Sequence, residues 1–361
     1  MDDPIDWGLA EEVAVRLASR ARQPSSSEMR ALEEDFAELT PRAEELVASE
    51  TGLVSAAGPA RAKMTDRPGW VRANVASFGR LLRPVTEKLA ANLEKPSRLP
   101  RLPMSVTRRA TGAQLGLLLG WMSTRVLGQY DQLLIEEEHP EDQDIVYYVG
   151  PNIISVEKRY GFPQREFRLW IALHEVTHRA QFTGVPWMRD HFLSLVHGTI
   201  DSMDPDPRRL IDALRRSVEG IRAGRNPLEE GGILTLLATP EQYQAIQDIG
   251  GLMSLLEGHG DVTMDRAGAE LVPNAARFSQ TLHERRRQQG AAKLLSALVG
   301  LDAKLRQYEQ GEKFVRQVET AGGRELLSKV WDGPQWLPSW PEIRNPERWI
   351  ARMRPGPLAL G

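Results

Sequence analysis

Apolar residues recur at helical spacing through most of the chain. Val13 and Leu17 mark one amphipathic stretch over 10–21. Met29, Leu32, Phe36 and Leu39 mark a second, opened by a run of serines at 25–27 that reads as a cap. A third, over 70–93, carries Val71, Val75, Phe78, Leu81 and Leu82, and Pro84 either kinks it or starts a new helix. Pro96, Pro100 and Pro103 then read as a linker. Over 110–129, Gly112, Gly116 and Gly120 recur every fourth residue, a stripe on which another helix can approach closely. The pattern changes at 145–149, where Ile-Val-Tyr-Tyr-Val is β-type. Gly150-Pro151-Asn152 signals a turn, and 153–156 is a second β-type run, so two short strands or a hairpin are expected. Helical spacing returns over 163–184, 192–196, 208–221, 239–267 and 291–318. Loops are expected at 136–144, 204–207 and 224–232. The predicted class is α+β, mainly α-helical, with a small sheet. The proline linker suggests an N-terminal helical region, 1–104, and a second region, 105–361, that carries the chemistry below.

Composition narrows the picture. With 41% apolar and 26% charged residues the chain can build a packed core, so wholesale disorder is excluded. A net charge of −3 gives no basic field, which argues against nucleic-acid partners. The absence of cysteine removes disulfides, thiolate ligands and cysteine nucleophiles. The acidic start has no apolar segment of the signal-peptide kind. The apolar run 115–121 is broken by Gly116 and Gly120 and is too short for a bilayer, so no membrane partner and a cytoplasmic location are expected. No phosphate loop, dinucleotide fingerprint or nucleophile elbow occurs.

The sharp chemical signal is His174-Glu175-Val176-Thr177-His178. On a helix, residues four apart share a face one turn apart, so both imidazoles can bind one Zn²⁺ while the Glu between them activates a water. Phe167, Trp170, Ile171 and Phe182 share that spacing, and the helix reads as largely buried. Two imidazoles and a carboxylate are costly to bury without a metal or partners. The bland reading is a pair of ordinary core or surface histidines. A zinc site needs a third ligand, and Glu257 is the leading candidate, with His259 the competitor. Asp261, one turn after Glu257, would orient a ligand His. His259 or Arg179 would steady an oxyanion. Asp265 reads either as a buried partner of His259 or Arg179, or as a surface acid. The strand at 145–149 stands in chain order where an edge strand could pair with an extended substrate, and a Tyr hydroxyl there could polarise a carbonyl. The tryptophans at 331, 336, 340 and 349 read as core or cover, and Arg285-Arg286-Arg287 as a solvated helix face.

Larger pieces of the chain carry a resemblance. They are 74–78, 127–131, 149–153, 167–182, 185–187, 252–259 with Met264-Asp265, Leu301-Asp302 and 305–309. In these the chain resembles bacterial zincin-like proteins of the group provisionally labelled hydrolases or associated with deazaflavin-coenzyme biosynthesis. The resemblance implies a zincin-like core with helical extensions and a metal site, and brings no substrate with it. The expectation is a zinc-dependent hydrolase of peptide or amide bonds: His174, His178 and Glu257 on the metal, Glu175 and His259 catalytic. The alternatives are a non-catalytic scaffold derived from that fold, or an accessory protein of coenzyme biosynthesis.

Overall fold

The computed structural model describes residues 3–20, 23–94, 103–130, 144–201, 240–287 and 301–354. The expected loops at 136–143, 204–207 and 224–232, the helix at 208–221 and the prolines at 96 and 100 lie outside them.

Helix α1 spans Trp7–Ala18 and α2 spans Ser26–Thr51. Ser25 closes α2 with a full capping box: its side chain accepts from the Glu28 backbone, and the Glu28 carboxylate accepts from the Ser25 backbone. Strand β1 (Arg61–Thr65) leads into α3 (Arg67–Leu81) and α4 (Arg83–Glu94), with the break at Pro84 in the first turn of α4. Helix α5 occupies Met104–Ser123, beginning and ending several residues earlier than expected, because the tail of that apolar stretch becomes strand β2 (Gly128–Tyr130). The glycine stripe works as its spacing suggests. A Cβ on Gly112, Gly116 or Gly120 would strike Asp6, Ala10 or Leu17, so α5 lies directly on the alanine face of α1.

Strand β3 (Ile145–Val149) is where the sequence placed it, and all five residues are buried. The expected turn and second strand after it are instead helix α6 (Gly150–Tyr160). Pro151 sits in the first turn of α6, where its missing N–H costs nothing. Ile153, Ile154 and Val156 are buried on that helix. A short apolar run followed or preceded by Gly-Pro fits either element, and packing decides between them here.

The sheet has the order β1-β3-β2. β1 runs parallel to β3, Arg61 opposite Ile145, and β2 runs antiparallel, Tyr130 opposite Val146. β3 is therefore central, bonded on both flanks, and cannot be the edge that pairs with a substrate. The hydroxyl of Tyr148 bonds Thr40 at 3.0 Å and its ring stacks on Phe36, so it belongs to the core. Because β1 joins β3 and α1 joins α5, the first 104 residues and the remainder share one sheet and one body of packing.

Helix α7 (Gln164–Thr183) runs through the main core, flanked by α2 and followed by α8 (Met188–Asp201). The long helix α9 (Pro240–Ala267) packs on α7 and on α11 (Leu301–Ser328), with α10 (Ala275–Arg287) between them in sequence. α9 is apolar on two faces. Leu252, Leu256 and Met264 enter the core around α7, while Leu255 and Val262 enter a second core with Phe314, Val315 and Trp349. Short helices α12 (Trp340–Arg344) and α13 (Pro346–Met353) close the second core. Among the described residues no helix is long and apolar enough to cross a membrane.

Candidate metal centre

The i,i+4 spacing on α7 places the His174 and His178 rings 4.6 Å apart between centroids, with their planes nearly perpendicular. Glu257 reaches them from α9. One donor atom from each of His174, His178 and Glu257 lies within 4.8 Å of the others. His178 Nε2 and Glu257 Oε2 are 3.5 Å apart. Donors at about 2.1 Å from a tetrahedral zinc stand roughly 3.4 Å from each other, so two imidazole nitrogens and a carboxylate oxygen so placed suit a divalent cation in number, type and spacing. His259, the competing third donor, is not in the trio.

Position 257 is fixed by a very close helix crossing. A Cβ on Gly258 would lie 2.0 Å from the Gly311 carbonyl carbon, and one on Gly311 would lie 1.9 Å from the Ser254 oxygen. The backbones of α9 and α11 therefore touch, and Glu257 projects from the turn that makes this contact.

Gln181, fully buried on α7, ties the site together. Its Oε1 lies 3.0 Å from His178 Nδ1, while its Nε2 donates to the Leu256 carbonyl at 2.9 Å and meets His259 Nδ1 at 3.0 Å. An amide oxygen only accepts. His178 must then carry its proton on Nδ1, which leaves Nε2 directed at Glu257 and available to a metal. At His178 the orienting part expected of Asp261 is thus played by Gln181. Sequence reasoning passed over this residue, although its place three residues after His178 puts it on the same helix face. Asp261 itself lies half-buried, one turn beyond Glu257.

Glu175 is buried and faces β2. The Tyr130 N–H donates to its Oε2 at 3.1 Å, and a Cβ on Gly128 would fall 2.7 Å from Oε1. Only glycine lets the strand lie this near the carboxylate. The strand beside the motif is thus β2, an edge of the sheet among the described residues, whose three residues gave no clear strand signal. Burial pushes the Glu175 carboxyl up to about 7; the charge of His178 opposes this and that of Glu257 adds to it. Burial also works against a charged His178, but Glu257 and then Glu175 outweigh it and raise the ring to about 9. His259, edge-on to Trp331 with centroids 5.0 Å apart, is pulled down to about 4 by burial.

Two expected roles do not fit. The Arg179 guanidinium donates to Asp144, Glu44 and the Gly58 carbonyl, so its bonds clamp α7 to α2 and the start of β3 rather than serving an oxyanion. Asp265 pairs with Arg316 at 3.1 Å on the half-exposed flank of α9 and touches neither His259 nor Arg179. The tryptophans of the tail are core and cover: Trp349 is fully buried, and the Trp331 carbonyl accepts from Trp187 Nε1 while its ring lies against His259.

The family model described as zincin-like metallopeptidase matches residues 5–350. Among solved structures, a Chloroflexus aurantiacus protein provisionally described as a hydrolase with a novel fold is similar. It is 33% identical with a TM-score of 0.71, over 98% of this chain and 100% of that one. No curated protein matches the chain.

Proposed function

Since the chain belongs to the zincin-like metallopeptidase family, we propose that it is a zinc-dependent hydrolase that cleaves a peptide or other amide bond, with Glu175 as its base. The observation that carries this reading is the convergence of His174, His178 and Glu257, with Glu175 one residue from the first ligand. These three residues would hold the ion. When bound, zinc supplies Lewis acidity, which polarises a carbonyl and makes a water easier to deprotonate. Glu175 takes the proton of the attacking water and returns it to the leaving nitrogen, a cycle suited to a carboxyl held near neutrality by burial. Gln181 keeps the His178 proton on Nδ1 throughout. His259, its Nδ1 engaged by Gln181, has Nε2 as its remaining donor, which could steady a developing oxyanion. The metal in the cell, the peptide substrate and a cytoplasmic site of action are parts of the same proposal.

Two variants test it. Glu175→Gln keeps one zinc per chain by elemental analysis and loses cleavage of a broad peptide library by roughly a thousandfold or more. His178→Ala loses the zinc. A Glu175→Gln protein that cleaves like wild type would remove Glu175 from the chemistry. Zinc held by His178→Ala would remove His178 from the ligand set, and a wild type that holds no zinc and cleaves nothing would turn the reading toward a binding scaffold.

A further inference from the structure

Arg67 opens α3 and is buried, yet no carboxylate is among its partners. Its Nε donates to Asn152 Oδ1 at 2.6 Å and one terminal nitrogen to the Pro151 carbonyl at 3.3 Å; the other terminal nitrogen, Nη1, is buried with no partner at all. A buried guanidinium in neutral surroundings is expensive, and an anion beside it would offset that cost.

Two further arginines meet at the same place. Asn152 donates to the Ser123 and Val126 carbonyls, which fixes the turn 123–126 against Arg67. Within that turn Arg125 donates to the Trp121 carbonyl and the Thr124 hydroxyl, with its guanidinium 4.1 Å above the Trp121 ring. From α10, Arg285 reaches the Thr124 carbonyl at 3.4 Å. Arg125 and Arg285 are both half-buried. Burial, and after it the charge of Arg285, lowers the proton affinity of both Arg67 and Arg125.

The turn also leads to the metal centre. Gly128, against the Glu175 carboxylate, follows Arg125 by three residues, at most about 11 Å of extended chain. The turn that carries Arg125 is thus continuous with the strand that lies against Glu175.

We infer that Arg67, Arg125 and Arg285 form an anion-binding subsite that takes a carboxylate or phosphate group of the substrate; the word substrate here rests on the hydrolase reading. Guanidinium forks suit both groups, and the arms of the test separate them.

Calorimetric titration of the full-length protein with inorganic phosphate, and separately with succinate, is run at constant ionic strength. Wild type is expected to bind at least one of them, and Arg285→Gln to bind it about tenfold more weakly or worse, with zinc content unchanged. His178→Ala should bind the same anion as wild type does, since it lacks only the metal. Saturation by phosphate alone assigns a phosphoryl group, and saturation by succinate alone a carboxylate. If neither anion binds, or if Arg285→Gln and Arg125→Gln both bind within about twofold of wild type, the subsite is wrong. Once a cleaved library peptide is in hand, Arg285→Gln should raise KM for it and leave kcat in place. Anion binding lost in Arg285→Gln while Glu175→Gln still cleaves would uphold the subsite and overturn the hydrolytic mechanism instead.

Discussion

Gln181 has one amide and three partners, and each end of it can do only one thing. The oxygen accepts from His178 and the nitrogen donates to Leu256 and His259. Gln181→Leu keeps the volume and removes the bonds. It should weaken zinc binding by about 10–100-fold, as judged by competition with a chelator, because the His178 tautomer is no longer fixed. Affinity within about twofold of wild type would show that the amide is packing only. Glu175 and the two histidines were legible in the sequence because their meaning depends on local helix geometry alone. Gln181 was equally local, but an amide has no charge or ligand habit to draw notice. Glu257 could be named only as one of two candidates. Both Glu257 and His259 meet α7, and which of them joins the His174 and His178 rings depends on how α9 rotates against it, an angle not written in the spacing along one helix.

Among the elements, those made by local pattern were legible. The serine cap of α2, the length of α7 and the glycine stripe of α5 all follow from residues within a few turns of one another. Those made by distant partners were not. Arg-Ala-Lys-Met-Thr at 61–65 is too polar to read as a strand, and it is one only because β3 bonds it from across the fold. The run at 153–156 is β-branched yet helical, because α6 buries it on one face. The two glycine crossings make a paired prediction. Gly116→Ala forces α5 off α1, and Gly258→Ala forces α9 off α11, since in each the nearest obstacle is backbone. Both should lose about 1–3 kcal/mol in urea unfolding, with Gly258→Ala the more damaged. Only Gly258→Ala should also weaken zinc binding, because only that crossing carries a ligand. Equal loss of zinc in the two variants would refute the local account.

For the whole molecule, the metal site is a source of stability that depends on what fills it. In metal-free protein the folded His178 holds its proton up to about 9, above the ordinary value near 6.5. That contribution is complete below about pH 6.5 and is lost as pH rises through 9. Glu175, raised to about 7, adds a loss of the same sign between about pH 4.5 and 7. Chelator-treated protein should therefore melt at a lower temperature at pH 9 than at pH 6. Zinc at a thousand times its Kd should add about 4 kcal/mol, more readily at the higher pH, where the proton no longer competes. A melting temperature indifferent to chelator and pH would contradict this linkage. The joint between the two cores bears on how the sequence can drift. At Gly258 and Gly311 each obstacle is main chain, which no second mutation can trim away. Neighbouring side chains can trade bulk over generations, but these two positions cannot, and any lineage that lifts the helices apart gives up its grip on Glu257 in the same stroke. The residues most answerable for catalytic geometry are thus ones that contribute no chemistry of their own.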